Sequence, residues 1–69
     1  MEYIATQTQR INEDKIMVEI TMKGQVVASG IYHHAVKQCI DWIHNPKMIS
    51  LNMRHEIELD IEHGRTIVY

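Results

Sequence analysis

Residues 15–22 show a regular alternation of apolar and polar side chains. The apolar residues at the even positions are Ile16, Val18, Ile20 and Met22. Because successive side chains of a strand point to opposite faces, this period of two predicts a strand with one buried face. Met17 interrupts the polar positions, but Glu19 and Thr21 continue them. The segment is therefore expected to cover a core on one side only.

Turn-forming residues on both sides of this strand predict two neighbours for it. Lys23-Gly24 is expected to form a tight turn in which the glycine takes a positive φ, followed by another strand over 25–29. Upstream, Asn12-Glu13-Asp14 favours a turn, and residues 3–11 are rich in Thr and Ile, which favours a strand. The poor alternation of 3–11 indicates an edge position. Together the segments predict a three-stranded antiparallel meander.

After Gly30 the apolar period changes from that of a strand to that of a helix. At about 100° per residue, the apolar side chains of 32–44 collect on one side of a helix of roughly three and a half turns. They are Tyr32, Val36, Cys39, Ile40 and Ile43. Asn45-Pro46 is expected to end this helix, because the residue before a proline avoids the helical region. The pattern predicts an amphipathic helix that covers the sheet.

Residues 51–62 alternate more regularly than any other segment. On a helix, Ile57, Leu59 and Ile61 would lie about 200° apart at each step, so one helical face could not collect all of them. The segment is therefore predicted to be a strand. A straight strand of this length would span about 40 Å, which exceeds the width of a small domain, so regular pairing is expected only from about Met53 onward.

His63-Gly64 is expected to form a hairpin turn, with 65–69 as the return strand. This pairing would hold the C-terminus, and a hairpin that projects beyond the body could serve as a dimerisation arm. The predicted fold is thus α+β, with the three-stranded meander, one amphipathic helix and a C-terminal β-hairpin (βββαββ). Residues 1–69 are expected to form one small domain.

A chain of 69 residues has only a small core. A domain of this size buries about 60% of its unfolded surface, and such a core rarely supplies more than roughly 3–5 kcal/mol. The single cysteine, Cys39, allows no internal disulfide. Association of two copies is the remaining common source of stability, so a homodimer is expected.

The composition indicates an ordinary globular domain, with 45% apolar and 23% charged residues. A net charge of −2 is too acidic for a protein held on nucleic acid by bulk charge. No apolar run approaches the roughly 20 residues of a membrane span, and the first residues lack the regions of a signal peptide. The free cysteine and five methionines favour a reducing compartment, so a cytoplasmic protein without membrane contact is expected.

A row of carboxylates is the most distinctive polar feature. On the predicted C-terminal strand, these residues would lie about 6.6 Å apart in a line about 20 Å long, a spacing similar to that of phosphates along a nucleic-acid strand. They are Glu56, Glu58, Asp60 and Glu62. The line is predicted to bind a basic protein surface. Two alternatives remain open. The carboxylates could belong to a solvated sheet face on which Arg65 pairs with them across the strands, or they could protect an edge strand from pairing with another chain.

Trp42 is the second candidate for partner binding. It lies about 120° from the centre of the apolar stripe on the predicted helix. It could fold over the edge of the sheet as part of the core. Alternatively it could be an exposed aromatic anchor, because tryptophan is enriched where interfaces gain most of their affinity.

Motifs for catalysis or metal binding are not found in the sequence. The adjacent His33 and His34 would point about 100° apart on a helix, and His55 and His63 would be about 26 Å apart on a strand. Cys39 is expected in the core rather than as a nucleophile. A fold this small is also expected to lack a cleft of about 300 Å³ or more. No enzyme activity, metal or cofactor is therefore predicted.

These features predict a non-catalytic protein-interaction module that regulates or inhibits a larger partner as a homodimer. A basic nucleic-acid-binding protein is one candidate partner. Small regulatory and mobile-element proteins are similar in size and shape. The alternative is a small nucleic-acid-binding regulator, which is less favoured because its basic residues are dispersed and not interleaved with aromatic ones. The basic residues it would use are Lys23, Lys37, Arg54 and Arg65.

Overall fold

The chain forms a sheet of five strands and one helix in a computed structural model that describes residues 2–68. The elements are β1 (Ile4–Arg10), β2 (Lys15–Met22), β3 (Gln25–His33), β4 (Gln38–His44), α1 (Leu51–Glu62) and β5 (Ile67–Val68). The α+β class is therefore confirmed, and so is an antiparallel meander in the first part of the chain. The positions of the helix and of the last strands differ from the predicted ones.

The sheet has the order β4-β3-β2-β1-β5. The strands from β1 to β4 pair antiparallel with their neighbours in sequence. The short β5 pairs parallel with β1, where Thr6 lies opposite Ile67 and Gln7 opposite Val68. The edge position predicted for the first strand is therefore wrong along this stretch, because β5 lies outside it.

The turns of the meander form where the sequence predicts them. The Asn12 side-chain oxygen accepts hydrogen bonds from the backbone N–H groups of Asp14 and Lys15, at 2.8 and 2.9 Å. Lys23 and Gly24 both take positive φ, 51° and 79°, between β2 and β3. Positive φ at both central residues matches the right-handed twist of paired strands. Local turn chemistry therefore sets both connections.

The core lies on one face of the sheet, between the sheet and α1. The even positions of β2 are all buried, as their alternation predicts. Ile57 and Ile61 of α1 pack in the same core cluster. The other buried apolar members are Ala5, Val27, Ala28, Tyr32, Cys39 and Ile49. The odd positions of β2 lie on the opposite face, which α1 does not cover.

The amphipathic helix predicted for 32–44 is wrong. β3 continues through Gly30 to His33, a turn follows in which Lys37 has φ 56°, and β4 returns beside β3. The segment is rich in β-branched and aromatic residues, which fit a pleated surface better than a helix. Only part of the proposed helical stripe is buried, since Tyr32 and Cys39 are buried whereas Ile40 is exposed.

The strand predicted for 51–62 is also wrong, because these residues form α1. Ser50 is the N-cap, and its hydroxyl accepts a hydrogen bond from the backbone N of Met53 at 3.2 Å. Ile57 and Ile61 are four residues apart, so they share the buried face of the helix, whereas Leu59 is 49% exposed. One helical face therefore does not need to collect every apolar residue of the alternation.

The hairpin turn predicted at His63-Gly64 is the C-terminal cap of α1. Gly64 has φ 72°, and its N–H donates to the carbonyl of Ile61 at 3.1 Å. The N–H of Arg65 donates to the carbonyl of Asp60 at 2.8 Å. These two bonds define a Schellman motif, in which glycine takes the left-handed position. The projecting dimerisation arm is thus wrong, and Tyr69 of the predicted return strand lies outside the described residues.

Candidate functional site

Two charged side chains of α1 bind the backbone of one residue in the edge strand β4. Glu58 Oε2 accepts a hydrogen bond from the backbone N of Cys39 at 2.8 Å, and Arg54 Nη2 donates to the Cys39 carbonyl at 2.6 Å. Glu58 and Arg54 are one helical turn apart, with Nε and Oε2 separated by 3.9 Å. We call this arrangement the edge clamp. It occupies backbone groups that an edge strand would otherwise offer to another chain.

Cys39 is part of the core, as predicted, although it lies in a strand rather than in a helix. Burial and, to a smaller extent, the negative charge of Glu58 raise the pKa of its thiol to about 12, although Arg54 opposes the shift. The thiol is therefore protonated at neutral pH. Nucleophilic cysteines need partial exposure and a lowered pKa, so this environment is that of a core residue.

The straight line of carboxylates predicted for the C-terminal segment does not exist in the structure. Consecutive members lie about 200° apart around the α1 axis, and Glu56 and Glu62 are separated by about 9 Å along it rather than by 20 Å. Glu58 is buried in the edge clamp. The physical reason is the helical conformation, which spreads alternate residues around a cylinder.

Two of the other carboxylates are bound within the chain. Asp60 accepts hydrogen bonds from the Tyr3 hydroxyl and, at 2.9 Å, from Arg65 Nε. Burial and the bond to Asp60 raise the pKa of Tyr3 above its ordinary value, so its hydroxyl remains a donor. Glu62 lies 3.1 Å from Lys37 Nζ. Glu56 is exposed. Partner binding by these carboxylates stays a prediction, but most of them already have structural contacts.

These ion pairs also involve three of the basic residues of the nucleic-acid alternative. Lys37 pairs with Glu62, Arg54 with Glu58, and Arg65 with Asp60. A lysine or arginine that is neutralised by a carboxylate adds little to phosphate binding. The structure therefore supplies no observation that favours this alternative.

Trp42 is half-buried on the face of the sheet that α1 covers. Its ring lies over Gly30, and the Arg54 guanidinium carbon is 5.9 Å from the ring centroid. Its Nε1 is buried, with no hydrogen-bond partner within residues 2–68. The packing is that of the core alternative, a tryptophan that folds over the sheet. Its role as an anchor for a partner stays a prediction.

Replacing Gly30 by alanine should destabilise the domain by about 1–3 kcal/mol, because overpacking of a close contact costs energy of this order. A Cβ at residue 30 would lie 2.7 Å from Trp42 Cε3. The measurement is urea unfolding followed by circular dichroism. In a Trp42→Ala background, the same substitution should cost much less. An equal cost in both backgrounds would contradict the proposed contact.

A groove of about 1330 Å³ lies where the start of β1 and the end of β2 meet the C-terminal end of α1. Apolar side chains that include Met22 and Met48 line it, together with the Tyr3–Asp60–Arg65 cluster. A cleft of about 300 Å³ or more is not expected in so small a fold, and that prediction is wrong because the groove exceeds this volume. The Asp60 carboxylate accepts hydrogen bonds from both Tyr3 and Arg65, so its charge is already paired within the groove.

The face of the sheet opposite to α1 carries a cluster of apolar side chains. Across neighbouring strands, Met17 pairs with Ile31, and Ile31 pairs with Ile40. Ile43, opposite Ser29, lies on the same face and is 74% exposed. We call Met17, Ile31, Ile40 and Ile43 the apolar patch. A solvated sheet face is normally polar, so these residues are the unusual feature of the surface.

Within residues 2–68, no group of three or more His, Cys, Asp or Glu side chains is placed to hold a metal ion. His55 Nδ1 lies 3.6 Å from Glu58 Oε1, where it adds to the edge clamp. The helix of the described part of the chain is too short and too polar to cross a membrane.

The chain matches no family model, no curated protein and no solved structure. No function can therefore be carried over from a relative. The two surfaces that bear on function are the edge clamp and the apolar patch. Of these, the edge clamp has an internal structural role, and the apolar patch has none within the described residues.

Proposed function

We propose that the chain is a non-catalytic protein-interaction module that binds protein through the apolar patch. The observation that carries the proposal is the exposure of Ile40 and Ile43 on a sheet face that α1 leaves uncovered. Contiguous apolar surface on a small protein is typical of a contact site, because its burial against a partner removes it from water.

The patch is also suited to contact by its stiffness. Its residues lie on three adjacent strands that are hydrogen-bonded to each other, so their positions are set before a partner arrives. A surface that is already ordered loses less conformational entropy on binding. Met17 adds an adaptable side chain to the branched isoleucines, which helps the surface to fit an irregular partner.

The proposed contact lies on the face of the domain opposite to α1 and its acidic residues. Glu58 and Asp60, central to the predicted acidic surface, are bound to Cys39, Tyr3 and Arg65. Releasing them for a partner would sacrifice internal contacts, whereas the apolar patch is available at no such cost. Regulation or inhibition of a larger partner stays a prediction, because neither the acidic residues nor the apolar patch provides evidence for it.

The substitution Ile43→Lys should abolish binding of protein to the patch, since it places a charge within a contact that excludes water. The matched control is Leu51→Lys, because Leu51 is 69% exposed but lies at the start of α1. Tagged wild type and both variants are expressed in the native host beside an untagged copy. Bound proteins are then recovered and quantified by mass spectrometry.

Proteins recovered with wild type should persist with Leu51→Lys and be lost with Ile43→Lys. Circular dichroism must show that both variants keep the wild-type unfolding midpoint, which is expected for exposed positions. Recovery of the same proteins in the same amounts with Ile43→Lys would contradict the proposal.

A further inference from the structure

We infer that the apolar patch binds a second copy of the chain, face to face, about a two-fold axis that lies between the two sheets and runs across the strands, parallel to the row of Met17, Ile31 and Ile40. This inference rests on the proposed function and names its partner. It is carried by the arrangement of charges around the patch, by the state of the sheet edge and by the size of the uncovered face.

Four rows of side chains cross the uncovered face, one at each odd position of β2, and three of them contain or flank the apolar patch. The central row contains Met17, Ile31 and Ile40. The row on one side contains Glu19, Ser29 and Ile43, and the row on the other side contains Lys15, His33 and Gln38. On β2, the apolar centre therefore has a lysine two residues before it and a glutamate two residues after it. The face carries opposite charges at equal distances from the row of Met17, Ile31 and Ile40.

A two-fold axis along the central row makes these charges complementary. Rotation about it reverses the strand direction, so Lys15 faces the partner's Glu19 and Glu19 faces the partner's Lys15. Packed sheets lie about 10 Å apart, a gap that a lysine and a glutamate extended from opposite sides can bridge. Neither residue has an ion-pair partner in the described part of the chain. The two charges are thus free for this contact.

The other simple arrangement does not pair these charges. An axis parallel to the strands over β3, the middle strand of the patch, would place β2 over the partner's β4, so Lys15 would face the partner's Gln38 and Glu19 would face the partner's Ile43. Burial of a charge without a counter-charge is unfavourable. Of the two face-to-face arrangements of the sheets, only the one with reversed strands brings opposite charges together.

Pairing through the edge of β4 is disfavoured by the same structure. The edge clamp holds both backbone groups of Cys39, and Asp41 takes a positive φ of 55° where the strand pairing is irregular. Bulges and covered backbone groups are ways in which proteins prevent edge-to-edge association. A second copy is therefore expected to bind the uncovered face of the sheet rather than the edge of β4.

The size of the face sets the expected affinity. Four strands about 4.8 Å apart and about six residues long present roughly 400 Å² on each copy. This is below the approximately 800 Å² per partner of stable complexes, so the dimer is expected to dissociate in the micromolar range. A weak dimer of this kind is sensitive to a change in its charge pairs.

The test is sedimentation equilibrium of the purified chain at low salt, over protein concentrations from about 1 μM to about 1 mM, the range that a weak interface requires. The variants are Lys15→Glu, Glu19→Lys and the double variant that carries both. By symmetry, each single substitution turns two attractive contacts into repulsive ones. Each should raise the dissociation constant at least about tenfold, and the double variant should return it to within about threefold of wild type.

A wild-type chain that stays monomeric over the whole range would overturn the inference, while loss of other bound proteins with Ile43→Lys would still support the proposed function. A dimer that Ile43→Lys does not weaken would also overturn the inference, because it would use a different surface, whereas the proposed function is decided by the recovery of other proteins. If the double variant fails to recover, the reversed-strand arrangement is wrong. Circular dichroism of each variant establishes that the fold is retained.

Discussion

Replacing Ile57 by alanine should lower the free energy of unfolding by about 2–4 kcal/mol, because removal of a buried side chain leaves a cavity as well as losing apolar burial. Ile57 is fully buried in the core between α1 and the sheet. Since a core of this size supplies only roughly 3–5 kcal/mol, the variant should keep little stability and unfold at a much lower urea concentration than wild type. Urea titration followed by circular dichroism and by the fluorescence of Trp42 measures the loss.

Leu59→Ala is the matched control, because it truncates an apolar residue of α1 whose side chain is 49% exposed. It should change stability by less than about 1 kcal/mol. On a strand, residues 57 and 59 would share a face and both truncations would cost a similar amount. Similar losses would therefore contradict the helix. If Ile57→Ala is too unfolded for its free energy of unfolding to be measured, Ile57→Val should give a measurable loss of about 1 kcal/mol.

Replacing Glu58 by alanine should cost about 2–4 kcal/mol, since it leaves the buried N–H of Cys39 without an acceptor and Arg54 without its counter-charge. The same unfolding measurement applies. Glu56→Ala removes an exposed carboxylate from the neighbouring turn of the same helix and is expected to change stability by less than about 0.5 kcal/mol.

Glu58→Gln separates the hydrogen bond from the charge. Its amide oxygen can still accept from Cys39, so its cost should lie between those of the two alanine variants. If Glu58→Ala and Glu56→Ala have equal effects, the edge clamp does not stabilise the fold. Increased association of Glu58→Ala through β4 would agree with its second role, which is to cover the edge strand.

Part of the fold could be predicted because it depends on neighbouring residues only. The strand over Lys15–Met22 follows from alternation, and the Lys23-Gly24 turn follows from the ease with which glycine takes positive φ. The burial of Cys39 was also predicted, although for a residue in a helix. An apolar side chain can be buried in a helix or in a strand. The apolar character of Cys39 and its neighbours therefore predicts burial better than it predicts the type of secondary structure.

Periodicity alone exchanges the helix and the last strands, whereas propensity and capping indicate α1 and β4 where the structure has them. Residues 51–62 are rich in Leu, Met, Arg and Glu, which favour helix, follow Ser50 as an N-cap and precede Gly64 as a C-terminal glycine. Residues 38–44 are rich in residues that favour strand. These signals were present in the sequence and could have identified α1, because a helix buries every third or fourth residue whatever the parity of the others.

The edge clamp could not be found in the same way. Glu58 and Cys39 are 19 residues apart, and only the packing of α1 against β4 brings the carboxylate to the backbone of the edge strand. The four-residue spacing of Arg54 and Glu58 indicates an ion pair on a helix, but it does not reveal that both side chains bind the same peptide unit.

Side-chain alternation and local backbone preference are sufficient to set the α+β class, the meander with its turns and the buried face of β2. Which face of the sheet stays uncovered and which carboxylates are bound internally depend on long-range packing, because α1 can cover only one side. Its placement buries Glu58 and leaves Ile40 and Ile43 in contact with water.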